Sequence, residues 1–160
     1  MIVVAIDAHT GELAAFDRDC GVELADAVTA STALPGLAPT VAINGRRYID
    51  GGVRSRENAD LAAGYANILV LAPLDGREQA PGQAPGGQFE GLRRPREWGT
   101  DLASQVEGLR RAGSRVEVIT PDAGSRAALG GNLMDLTARA PAARAGFTQG
   151  QREAARAAFG

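Results

Sequence analysis

Asn44-Gly45, set between Val41-Ala42-Ile43 and Arg47-Tyr48-Ile49, constrains this chain more than any other dipeptide in it. Asn and Gly both tolerate φ > 0, which the two-residue turns of antiparallel hairpins demand. Two short strands are therefore expected to meet here. Asp50-Gly51-Gly52 follows with no spacer, so a carboxylate rides at the end of a rigid hairpin strand. On the sequence, Gly51 and Gly52 are read as residues at φ > 0, bending the backbone sharply and holding Asp50 out at the strand tip. Strand ends of that kind are where α/β enzymes keep catalytic side chains. The same three residues have plainer readings. Asp50 could be a turn aspartate bonding its own backbone beside the glycines. Gly51 and Gly52 could form an anion nest, although no Walker or dinucleotide pattern surrounds them.

The rest of the chain reads as strand-rich first and helical later. Ile2 to Ile6 is a continuous apolar, β-branched run, the pattern of a strand buried on both faces inside a parallel sheet, with an edge strand as the alternative. Asp7 to Gly11 is a turn and Glu12 to Phe16 its partner strand. Val22 to Thr32 is a helix whose close-packing face is made by Leu24, Val28 and the small residues between them, ended by Pro35 and Gly36. Ser31 and Pro35 are expected to shape the helix end under the Asp50 hairpin. Glu57 to Gly64 is a short helix, Asn67 to Leu71 a buried strand, and Asp7 and Asp60 are turn and cap residues. Leu74 to Glu97 holds three prolines and several glycines, a loop composition. Arg93, Arg94 and Arg96 within it could meet anionic head groups. Beyond it, Trp98, Leu102, Val106 and Leu109 make one helical stripe closing at Gly113. Arg115 to Thr120 is a strand stopped by Pro121, Asp122 to Leu129 and Leu133 to Ala140 are short helices, and Thr148 with Gln151 spells a capping box opening a last helix to Phe159.

Taken together, Ala30-Ser31-Thr32-Ala33-Leu34-Pro35-Gly36, Val41 to Gly52, Asn58, Asp60, Leu61 and the strand ending in Ala72-Pro73 resemble the C-terminal half of a patatin-like phospholipase. That family consists of lipid acyl hydrolases working through a Ser-Asp dyad. The resemblance is strongest from Met1 to Pro73. It implies an α/β fold, the C-terminal portion of a three-layer α/β/α serine hydrolase. It also implies residues 1–73 as part of the family domain, 74–97 as a flexible loop, and 98–160 as an α/β extension of the same domain. Asp50 would be the dyad acid/base, with Gly51 and Gly52 completing its motif. The substrate would be a lipid or other acyl ester, and no cofactor is implied.

The family's nucleophile stands in Gly-x-Ser-x-Gly, and this sequence has none. Its serines are Ser31, Ser55, Ser104, Ser114 and Ser125, and none has glycine on both sides at the spacing the strained elbow needs. The chain is thus expected to hold one dyad residue and no oxyanion loop. That leaves a missing N-terminal half, a split enzyme, or a non-catalytic remnant that binds a partner through an uncovered sheet edge. His9 is the single histidine and lies in a turn, so a Ser-His-Asp triad has little to work with. One His and one Cys make no metal site. An aspartate of ordinary pKa, ~3.9, is a feeble base at neutral pH. A dry cleft, with Tyr48 and Ile49 as part of its wall, is expected to assist Asp50, or Asp50 acts mainly by orienting the serine.

Composition adds exclusions. A net charge of −2 gives no footprint for nucleic acid. No apolar run is long enough for a transmembrane segment or a signal peptide core. The expectation is a cytoplasmic-type protein, with membrane-surface contact left open. Cys20 allows no intramolecular disulfide.

Overall fold

The computed structural model describes residues 1–74, 98–132 and 135–154. The loop expected over 74–97, with Arg93, Arg94 and Arg96, falls almost wholly outside them, as do Leu133, Met134 and Phe159.

Among the described residues there are two sheets, and the class is mixed α/β. The first sheet joins β1 (Val3–Asp7), β2 (Leu13–Phe16), β3 (Val41–Ile43) and β4 (Arg46–Asp50) in the order β2-β1-β4-β3, antiparallel throughout. The second pairs β5 (Asn67–Leu71) with β6 (Arg115–Ile119) in parallel. Here the reading of Ile2 to Ile6 needs correcting. Its strand is neither in a parallel sheet nor at an edge. It is an inner strand flanked by two antiparallel partners, because the Asp7 to Gly11 turn returns the chain along one side and the Asn44-Gly45 hairpin supplies the other. That hairpin forms as expected, with Asn44 at φ 49° and Gly45 at φ 77°.

Helix α1 (Leu24–Ser31) lies on the first sheet through small residues, as expected in part, but Leu24 and Val28 do not join that face. Ala27 and Ala30 are buried, while Leu24 and Val28 are 53% and 45% exposed. Small residues let the helix backbone come close to the sheet. Ala27 and Ala30 share a core with Ala5, Phe16, Ile43 and Tyr48. Phe16 and Tyr48 meet edge-to-face at 5.3 Å and 78°, a favoured aromatic geometry.

The second core gathers Ile68, Val70, Val116, Ala59, Val106 and Leu109. The last two come from α2 (Leu102–Arg111), started by Asp101, whose side chain accepts from the Ser104 amide. Trp98 precedes that helix and is exposed, so the packed stripe is Leu102, Val106 and Leu109 alone. Helix α3 (Ala123–Leu129) is capped by Asp122 through the Ser125 amide. The chain from Glu57 to Gly64 is not an α-helix but a 3-10 turn over Ala59–Ala62.

Helix α4 (Arg139–Ala154) replaces two expected pieces. A 3-10 turn at Leu136–Ala138 leads straight into it. Thr148 therefore opens no helix; it lies inside one, and its Oγ1 donates to the Arg144 carbonyl at 3.0 Å. Pro141 does not break α4, because its missing N–H falls in the first turn, where amides have no intrahelical partner.

Candidate functional site

Asp50 is the last residue of β4 and caps the 3-10 turn Gly51–Val53. Its backbone is fixed from two sides. The Asp50 amide donates to the Ala33 carbonyl at 3.0 Å, and Asp50 stands opposite Ala5 in the β1–β4 register. The segment after α1 thus braces the strand tip directly through Ala33. The side chain is oriented too: Gly52 N–H donates to Asp50 Oδ1 at 2.6 Å. That contact is the turn-aspartate geometry, and it also fixes which oxygen of the carboxylate is engaged.

Both glycines earn their places by a different route from the one expected. Neither has φ > 0. A Cβ on Gly51 would lie 2.3 Å from the Val4 carbonyl oxygen, and one on Gly52 would lie 2.8 Å from Asp50 Oδ1. They are glycines because backbone and carboxylate come too close for a side chain.

A groove of about 1180 Å³ opens beside the turn, with Val4, Ser31, Asp50, Gly52, Leu61 and Leu69 among its walls. Tyr48 and Ile49 are not part of that wall. Tyr48 is buried in the first core instead. Ser31 shares the groove with Asp50. Ser55, by contrast, is completely buried.

His9 and Cys20 stay away from the groove. His9 sits in the β1–β2 turn, where its amide donates to Asp7 Oδ1 at 2.9 Å. Cys20 is exposed, its thiol 3.0 Å from the Asp17 carbonyl. Asp7 is a turn residue as expected. The amides of His9 and Thr10, and the nearby Arg46 guanidinium, hold its carboxyl below the ordinary range. Asp60 is not a cap. Arg54 grips it with two nitrogens, at 3.0 and 2.6 Å, and this pairing raises the Arg54 pKa. Among the described residues, no three His, Cys, Asp or Glu side chains gather as a metal site, and no helix is long and apolar enough to cross a membrane.

The sequence reading missed Gln105. It is 5% exposed, and its amide reaches the segment that follows Gly52. Gln105 occupies an unremarkable helical position between Leu102 and Leu109, so no local signal marks it.

Residues 2–63 match the family model of the patatin-like phospholipases. This stretch is similar to that family. It contains the whole first sheet, α1 and the Asp50 turn, so the site described above lies inside the part of the chain that the family model matches. No curated protein matches the chain.

Proposed function

We propose that the chain contributes the carboxylate of a Ser-Asp dyad to an acyl hydrolase, with Asp50 as the acid/base and the serine supplied from outside these 160 residues. The observation that carries this reading is Asp50 at the groove, with Oδ1 held by the Gly52 amide at 2.6 Å. One oxygen is anchored, which leaves Oδ2 to meet a hydroxyl.

In this reading, serine Oγ attacks the ester carbonyl carbon of a lipid, and its proton passes to Asp50 Oδ2. The tetrahedral intermediate collapses with cleavage of the C–O bond, and the proton goes to the departing alcohol. Asp50 then takes a proton from water, the hydroxide attacks the acyl-serine, and the fatty acid leaves as serine recovers its proton. No cofactor is needed for this sequence of steps. Residues 1–73 and 98–160 act as one domain, a reading supported by the hydrogen bonds from Gln105 to Ser55 and Ala59. Catalysis would take place at a lipid surface or on a dispersed ester.

A second reading is a non-catalytic module that binds a partner, favoured by Leu69 and Leu71, which are 46% and 63% exposed on β5. Asp50→Asn in a protein carrying the serine-bearing portion separates the two. The catalytic reading expects a loss in kcat of about 10²–10⁴-fold; full activity in that variant overturns it.

A further inference from the structure

We propose that Gln105 is a positioning residue for Asp50, acting from outside the patatin-like stretch through a closed hydrogen-bond network. Its consequence for catalysis rests on the reading of Asp50 as the dyad carboxylate; the network itself does not.

The chain of contacts starts on α2. Gln105 Oε1 accepts from the Ala59 amide at 2.9 Å and from Ser55 Oγ at 3.3 Å. Gln105 Nε2 donates to Asp60 Oδ1 at 2.9 Å. These partners fix which end of the amide is which. A backbone N–H can only donate and a carboxylate can only accept, so oxygen must face Ala59 and nitrogen must face Asp60. Ser55 Oγ in turn accepts from the Asn58 amide at 3.1 Å. Asn58 stands at φ 45°, a left-handed conformation that aims its side chain back along the chain. Its Nδ2 donates to the Ser55 carbonyl at 2.7 Å and to the Gly51 carbonyl at 3.3 Å. Arg54 joins Asn58 Oδ1 to Asp60 at 2.9 and 3.0 Å, which closes the network. The Gly51 carbonyl belongs to the same peptide unit as the Gly52 amide, and that amide holds Asp50.

Glutamine is suited to this position by its chemistry. The site requires one acceptor and one donor at the ends of a planar group, in a place nearly without solvent. Glutamate would set a second carboxylate against Asp60, and leucine would take away the acceptor that the Ala59 amide and the Ser55 hydroxyl proton share.

The test reads the turn directly. In the whole chain, amide hydrogen exchange at Gly52, Ser55 and Ala59 is compared with that at Ala5 and Ile6 in β1, for the wild type, Gln105→Ala and Asn58→Gly. Asn58→Gly keeps the left-handed backbone and removes the side-chain bonds. The expected result is exchange at Gly52 faster by about tenfold or more in both variants, with β1 slowed or accelerated far less. The double variant is expected to accelerate Gly52 no more than the stronger single one, because both substitutions open the same network. Uniform acceleration of all amides, or an unchanged Gly52, overturns the proposal. If Gln105→Ala does not fold, Asn58→Gly alone decides it. In a protein with the serine-bearing portion, Gln105→Ala should lower kcat with KM unchanged. Selective Gly52 exchange with no change in kcat would leave the network intact and sink the catalytic role of Asp50 instead.

Discussion

Gly52 N–H and Asp50 Oδ1 sit 2.6 Å apart, so the carboxylate is held by the turn that it caps. One contact serves both the structural role of a turn aspartate and the orientation that a dyad carboxylate needs. The two descriptions of Asp50 are not rivals at the level of geometry. They part only in what meets the other oxygen.

The close approach of Gly51 to Val4 makes a sharp prediction. Gly51→Ala sets a Cβ 2.3 Å from a backbone oxygen that cannot swing aside, and should cost about 1–3 kcal/mol in urea unfolding. Gly108 lies inside α2 with open space where a Cβ would go. Gly108→Ala should therefore stabilise by roughly 0.5–1 kcal/mol. Equal effects at the two positions would contradict the packing described for the turn.

The hairpin offers a second test. Asn44 at φ 49° is a non-glycine residue in the left-handed region, where alanine is disfavoured by about 1 kcal/mol. Asn44→Gly should be tolerated and Asn44→Ala should lower the urea midpoint. The reverse order would mean that the turn relaxes to another geometry in solution.

Acid should unfold the protein in part through Asp7, Asp122 and Asp135. The carboxyl of Asp7 is lowered first by the His9 amide, that of Asp122 by the Ser125 amide, and that of Asp135 by Thr137. Each folded-state pKa lies below the unfolded value of about 3.9. Their stabilisation is therefore complete above that value and is lost as pH falls through the lower folded values. Thermal midpoints measured from pH 7 down to pH 2 should stay level and then drop. The gap between wild type and Asp7→Asn should narrow over the same drop, and a constant gap would remove Asp7 from the account.

A fluorophosphonate probe should label no serine of this chain when it is treated alone. Ser55 and Ser125 are buried, and Ser31, which shares the groove with Asp50, sits at the end of α1 rather than on a strained elbow. Mass spectrometry of the digested adduct checks this. Labelling at Ser31 would make the chain its own source of nucleophile.

Local signals in the sequence carried the parts of the fold that depend on local physics. Asn44-Gly45 named its turn, Pro121 ended β6, and a short helix follows Asp122 where the sequence placed one. Errors arose where tertiary contacts decide. Leu24 and Val28 were expected to pack together with the small residues between them, yet the sheet accepts only the alanines of α1. Thr148 and Gln151 have capping spacing, but the alanine-rich stretch before them carries the helix through. Asp50 could be placed at a strand end from sequence, whereas the reason for its two glycines could not, since Val4 is far away in the chain. Gln105 was silent for the same reason: its partners lie more than forty residues earlier.

The bonds that Gln105 makes to Ser55 and Ala59 have a practical consequence for anyone trimming this protein. A fragment ending at residue 63, where the family match stops, would strip the acceptor from the Ala59 amide and expose the apolar side of Ala59 that α2 covers. Crystallisation or expression pieces meant to preserve the Asp50 turn should run at least through Arg111.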